Sequence, residues 1–187
     1  MALATELLSR STAVLVVVDV QERINAVMAD QGHLPRIAVL IDGCVALGVP
    51  VVTTEQYPKG LGPTVPELAS LLPAPPLVKD TFSCAREPVV RAALEATGRR
   101  QAIVVGIEAH VCVLQTALDL AADGCRVHVP HDAVCSRRPA DKEWALRRMA
   151  AAGVVVTATE SELFELVARC GTDEFRAVSR MIRDLPV

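Results

Sequence analysis

Four times along this chain a helical stretch ends at a glycine and gives way, within a few residues, to an apolar run. Ala46-Leu47-Gly48 precedes Val49-Pro50-Val51-Val52, and Ala96-Thr97-Gly98 precedes Ala102-Ile103-Val104-Val105. Ala122-Asp123-Gly124 leads into Arg126-Val127-His128-Val129, and Ala151-Ala152-Gly153 into Val154-Val155-Val156. Glycine stops helices because it accepts the left-handed backbone at C′ without a Cβ penalty. The runs beyond lack the in–out alternation of strands with one wet face, so they read as strands covered on both sides. With Ala13–Asp19 and Pro76–Lys79 added, about six strands alternate with helices. This grammar predicts a three-layer α/β/α, Rossmann-like fold around a six-stranded parallel sheet, with right-handed crossovers.

No glycine-serine linker or charge block divides the 187 residues, so residues 1–187 read as one domain. Pro73 to Pro76 reads as a stiff loop entering a strand, and Thr172 to Leu185 as an amphipathic helix with Phe175, Val178, Met181 and Ile182 on one side. That helix closes the core or meets another subunit. The longest aliphatic run, Ala13 to Val18, is far short of the roughly 20 residues of a membrane span. Met1 to Arg10 contains Glu6 and lacks the basic start of a secretory leader, so a cytoplasmic location is expected, without membrane partners. A net charge of −3 with 3% aromatic residues offers neither a basic stripe nor stacking platforms, which argues against a nucleic-acid partner. The six cysteines contain no CxxC pair and read as reduced thiols.

In a parallel α/β sheet, ligands bind beyond the carboxyl ends of the strands. Three such ends carry chemistry: Val18-Asp19-Val20-Gln21, Val78-Lys79-Asp80-Thr81-Phe82-Ser83, and Val105-Gly106-Ile107-Glu108-Ala109-His110-Val111-Cys112. Taken singly, Asp19 could cap a loop, Lys79 could be solvated, and Cys112 could be inert packing. Taken together they form a nucleophile with a base and an electrostatic partner. A cysteine in the first turn of a helix, beside an ammonium, is expected to favour its thiolate and to be alkylated at mildly acidic pH.

These residues resemble the isochorismatase-like cysteine hydrolases, which include the nicotinamidases and carbamoylsarcosine hydrolases. The segments Thr54-Glu55-Gln56-Tyr57-Pro58-Lys59-Gly60-Leu61-Gly62-Pro63-Thr64-Val65-Pro66-Glu67-Leu68 and Lys79-Asp80-Thr81-Phe82-Ser83-Cys84 resemble the branch of isochorismatase domain-containing proteins. The likeness runs from the strand ending at Asp19 to about Val167. It implies an isochorismatase-like hydrolase fold, an Asp19–Lys79–Cys112 triad, and a cis peptide at Ile107–Glu108. That cis bond is expected to aim the backbone N–H groups of Glu108 and Cys112 into an oxyanion hole. It also implies a dimer or larger homo-oligomer, whose neighbours sometimes complete the pocket.

Departures narrow the chemistry. Where nicotinamidases carry a metal-binding Asp-x-His, this chain has Thr53-Thr54-Glu55-Gln56-Tyr57, so no metal or other cofactor is expected. His128 and His131 are close in sequence but a weak metal signal. Cys112 argues against true isochorismatase chemistry, which lacks the nucleophile. Gln21, Glu55, Gln56, Tyr57 and Phe82 are the candidates to line a small-molecule pocket, although Tyr57 and Phe82 read equally as packing. Arg137 and Arg138 read as solvated, and Cys84 and Cys135 as spectators. Aspartate phosphatases need an acid where Gln21 stands, cysteine phosphatases an arginine where Leu118 stands, and no GxGxxG marks a dinucleotide site. The expected function is metal-independent hydrolysis of a small amide, ureido or related acyl substrate through a thioester. The alternative is a non-catalytic ligand-binding or scaffold protein that retains the fold.

Overall fold

The computed structural model describes residues 6–185; the first five residues of the stretch read as lacking a leader lie outside it. Seven strands form one sheet: β1 (Ala13–Val18), β2 (Val51–Gln56), β3 (Leu77–Lys79), β4 (Gln101–Ile107), β5 (Arg126–Pro130), β6 (Val134–Cys135) and β7 (Val155–Thr157). Their order is β3-β2-β1-β4-β5-β7, with β6 against the end of β4, and every strand pairs in parallel. The six strands expected from sequence are all present. The seventh, β6, is two residues long, too short to register as an apolar run.

The longer helices are α1 (His33–Ala46), α2 (Pro88–Ala96), α3 (Leu114–Ala122), α4 (Pro139–Ala151), α5 (Thr159–Val167) and α6 (Asp173–Arg183). They cover both faces of the sheet. Along β1, Val14, Val16 and Val18 join the core under α2, α3 and α4, with Val90, Ala117 and Met149. Ala13, Leu15 and Val17 join the opposite core under α1, α5 and α6, with Ile41, Leu163 and Val178. Strand geometry sends successive side chains to opposite faces. That explains why the run in β1 is apolar throughout. The α6 helix, capped by the Thr172 hydroxyl accepting from Phe175 N at 3.1 Å, closes the second core through Val178, Phe175 and Ile182. Among the described residues no helix is long and apolar enough to cross a membrane.

The chain builds β1 to β3 outward on one side of β1, then returns to place β4 on its other side. The carboxyl ends of β1 and β4 therefore flank the reversal of strand order, where doubly wound sheets open a crevice. Asp19 follows β1, and Cys112 follows β4.

One pair in the core is at odds with its surroundings. His128 on β5 and Glu162 on α5 lie 4.0 Å apart, both almost wholly buried. No hydrogen bond reaches either ring nitrogen of the one or either carboxyl oxygen of the other. Burial pushes the Glu162 carboxyl well above its usual range, with Glu165 and Asp132 adding to it, and lowers His128 to about 4. Each shift favours the neutral form of its side chain. A carboxyl whose native pKa is raised stabilises the fold most at low pH, and that contribution fades as pH rises above the unfolded value. Glu162→Gln removes the fading term. In urea denaturation we expect the variant to gain stability on the wild type as pH rises towards 8, with the gap closing towards pH 4.

Candidate active site

The buried run of β1 ends at Asp19, whose backbone enters the left-handed region at φ 53°. Aspartate is among the few residues that tolerate this conformation. Its carboxylate is sealed from solvent: Thr54 Oγ1 donates to Oδ1 at 2.8 Å, and Lys79 Nζ lies 2.7 Å from Oδ2. The Lys79 side chain is itself fully buried. Nζ also donates to Gln56 Oε1 at 2.7 Å and to the backbone oxygens of Thr81 and Phe82 at 3.0 and 3.1 Å. An ammonium has three hydrogens, here shared among four oxygens, so the buried charge is compensated.

β2 holds this pair together from between its partners. Thr54 is in register with Val18, and Gln56 with Lys79. Both side chains face the pair. Glu55, one residue out of phase, points elsewhere and accepts from Thr64 N and Oγ1 at 2.7 and 2.8 Å. Gln21 is wholly buried and its amide is consumed by backbone. Nε2 donates to the oxygens of Gln56 and Gly62 at 3.1 and 2.6 Å, while Oε1 accepts from Gln56 N at 2.7 Å. Of the five residues expected to line a pocket, then, Gln56 holds Lys79, Gln21 fastens the rim, and Glu55 is directed away from the triad. The rings of Tyr57 and Phe82 are more than half exposed.

On the other side of the crevice, Gly106 adopts φ +116°, and a Cβ there would lie 2.1 Å from the Val18 carbonyl oxygen. Only glycine permits β1 and β4 to approach so closely. The Ile107–Glu108 bond is cis, as the resemblance implies. The chain then makes a single π-helical turn, Ala109–Val113, closed by Val113 N donating to Glu108 O at 3.3 Å. Cys112 therefore sits in a π turn ahead of α3, not in the first turn of an α-helix. Such turns recur at functional sites.

The Cys112 thiol is 7% exposed, and its acidity runs against expectation. Burial pushes its pKa far up, and the Asp19 charge and a side-chain hydrogen bond to Asp19 push the same way; Lys79 opposes them only in part. Desolvation of the anion outweighs the nearby ammonium. Burial and the Asp19 charge thus favour the protonated sulfur, against the reactivity at mildly acidic pH expected from the sequence.

Two neighbours escaped the sequence reading. Cys84, taken as a spectator, is buried beside the triad, with Thr54 Oγ1 3.7 Å from its sulfur and its N donating to Thr116 Oγ1 at 2.9 Å. Burial raises its pKa, with the Asp19 charge contributing. Its place in Lys79-Asp80-Thr81-Phe82-Ser83-Cys84, a segment used for the resemblance, was the available signal. Arg137 is 59% exposed, as its solvated reading expects, and in addition donates through N and Nε to Glu108 Oε2 at 3.0 and 3.1 Å, holding a carboxylate that is 5% exposed. Arg138 is 84% exposed, with Asp141 at 4.0 Å.

The isochorismatase domain family matches residues 13–161 of this chain. The chain belongs to the isochorismatase family. Isochorismatase domain-containing protein 1 of Danio rerio is 38% identical over 177 residues, covering 94% of this chain and 62% of that protein. The chain thus spans about three fifths of the length of that relative. Isochorismatase domain-containing protein 2 of the same fish is 36% identical, covering 94% of this chain and 89% of that protein. Among solved structures, the MAR1 ribonuclease of Caenorhabditis elegans superposes with a TM-score of 0.90 at 36% identity, covering 97% and 95% of the two chains. The YcaC gene product of Escherichia coli, described as an octameric hydrolase of unknown specificity, superposes at 0.85 with 25% identity, covering 95% and 88%.

Two measurements check the electrostatics of this candidate site. Asp19→Asn and Lys79→Met each leave one buried member of an ion pair alone and are expected to cost about 3–5 kcal/mol in urea denaturation. Iodoacetamide labelling of Cys112, followed by peptide mass spectrometry, should accelerate with pH and show no plateau below about pH 10. At pH 8, Asp19→Asn should label faster than wild type and Lys79→Met more slowly, because the first removes a charge that raises the thiol pKa and the second one that lowers it.

Proposed function

We propose that this chain is a metal-independent cysteine hydrolase acting on a small amide, ureido or related acyl substrate, with Asp19, Lys79 and Cys112 as its triad. The observation that carries the reading is the Cys112 thiol held against a buried Asp19 carboxylate, itself locked to Lys79 at 2.7 Å. As the Cys112 sulfur attacks the substrate carbonyl carbon, its proton passes to Asp19 and a C–S bond forms. Asp19 then protonates the departing nitrogen as the C–N bond breaks, leaving a thioester. Water, losing a proton to Asp19, forms the new C–O bond. The C–S bond breaks, the product acid departs, and Cys112 recovers its proton. Lys79 stays charged throughout and keeps the carboxylate in place. The backbone N–H groups of Glu108 and Cys112 receive the developing oxyanion, a contribution of about 2.7–4 kcal/mol per donor in comparable sites.

Because the native thiol is protonated, the mechanism is one of general-base delivery rather than attack by a standing thiolate. Gln56 acts through Lys79, and the exposed rings of Tyr57 and Phe82 form the rim that a small substrate meets. The histidine-free segment Thr53-Thr54-Glu55-Gln56-Tyr57 supports catalysis without the metal of the nicotinamidases. The working form is a cytoplasmic homo-oligomer with neither nucleic acid nor membrane as partner; the octameric state of the YcaC relative supports assembly.

The test is turnover of a panel of amides, ureido compounds and thioesters by wild type and Cys112→Ala. An RNA oligonucleotide belongs in the panel because one relative is named a ribonuclease. We expect a substrate whose hydrolysis falls by about 10⁴-fold or more in the variant, and an acyl adduct on Cys112 by mass spectrometry. Turnover that survives Cys112→Ala, or RNA cleavage without any acyl adduct, would overturn the assignment. Binding of a panel member without turnover would favour the scaffold reading.

A further inference from the structure

Outside the triad, three side chains that bind metals meet beside the turn that carries Cys112. They are Asp30, in the loop before α1; His33, the first residue of α1; and Cys135, on β6. One ligand atom from each lies within 4.8 Å of the other two. His33 and Cys135 are each 2% exposed, while Asp30 opens to solvent and supplies an entry path.

The hydrogen bonds around His33 determine which ring nitrogen carries the proton. Gln31 Nε2 donates at 3.1 Å to the backbone oxygen of Asn25, which can only accept. Gln31 Oε1 is thereby turned to the Asn25 side chain at 2.6 Å, so the atom it meets is the amide nitrogen. Asn25 Oδ1 then faces His33 Nε2 at 2.8 Å, and Nε2 must be the donor. Nδ1 is left with a bare lone pair, buried and without a hydrogen-bond partner. The Asp30 backbone carbonyl beside the ring is an acceptor and can pair with Nδ1 only when that nitrogen carries a proton. Cys135 does not satisfy the lone pair either, its thiol being directed to the oxygens of Asp30 and Ser136 at 3.8 and 3.6 Å. A buried lone pair with only acceptors around it calls for a cation.

We infer that Asp30, His33 and Cys135 form a binding site for a zinc-class divalent cation that is separate from the catalytic triad. One imidazole nitrogen, one thiolate and one carboxylate make a donor set of the borderline softness that zinc and cobalt favour, with water as the fourth ligand. Asn25 is the outer partner that orients a ligating histidine. On binding, the Cys135 S–H bond breaks, its proton leaves to solvent and the sulfur–metal bond forms. Nδ1 and the Asp30 carboxylate contribute lone pairs, and nothing is oxidised or reduced. The ion would pin the loop before α1 to β6. Cys135 is in register with Ile107, and the residues after it reach the nucleophile turn, Ser136 Oγ at 3.0 Å from His110 Nδ1 and Arg137 on Glu108. The site is therefore a brace for the turn that presents Cys112.

Cobalt(II) titration of the intact protein tests this, because a cobalt–thiolate bond absorbs in the near ultraviolet. We expect one equivalent to bind with that band, zinc to displace it, and zinc to raise the melting temperature. Cys135→Ser should abolish the band while Cys112→Ser and Cys84→Ser keep it. Asp30→Asn, at an exposed position where folding is not at stake, should weaken binding about tenfold or more, and Asn25→Ala by about 10–100-fold. The inference is overturned if uptake is not stoichiometric, if the band survives Cys135→Ser, if it disappears in Cys112→Ser, or if Asp30→Asn leaves affinity unchanged.

Discussion

The buried ion pair between Asp19 and Lys79 is the constraint around which the rest of the site is arranged. Two charges removed from water gain little net stability from each other, but either one alone would be costly. The surrounding polar atoms read as compensation for that cost. Thr54 donates to the carboxylate, and Gln56 with the Thr81 and Phe82 carbonyls accepts from the ammonium. Thr54 and Gln56 come from the strand between the two ends that carry the charges. A slip of one residue in β2 would replace both with side chains of the opposite face, so register and electrostatics are the same requirement.

The second requirement is proximity. Asp19 and Cys112 belong to different strands, and only the bare backbone at Gly106 lets β1 and β4 close to the separation this crevice needs. The sulfur then lies beside the carboxylate in a dry environment. There burial and the carboxylate's charge outweigh the lysine in setting the acidity of the thiol.

Much of this was legible in the sequence. The helix–glycine–strand grammar located four strands and two further runs supplied β1 and β3, while the polar residues at three strand ends brought out Asp19, Lys79 and Cys112. What stayed hidden depended on facts that a linear pattern does not carry. β6 is too short to have a periodicity. The state of Cys112 turned on a competition between burial and charge that spacing cannot weigh. The contact of the exposed Arg137 with Glu108 crosses 29 positions. Glu55 and Gln56 were grouped although neighbours on a strand face opposite ways, so parity alone could have separated them. Asp30, His33 and Cys135 span too much of the chain to form a motif, and only the fold brings them together.

The protonated resting state of Cys112 has a bearing on durability. Peroxide attacks thiolates, and a buried sulfur that keeps its proton enters the sulfenic–sulfinic sequence slowly. On the mechanism proposed above, Asp19 would withdraw the proton only during acyl transfer, and no standing oxidisable anion would persist between turnovers. The burial that opposes thiolate formation thus doubles as a shield against oxidants while the site is empty.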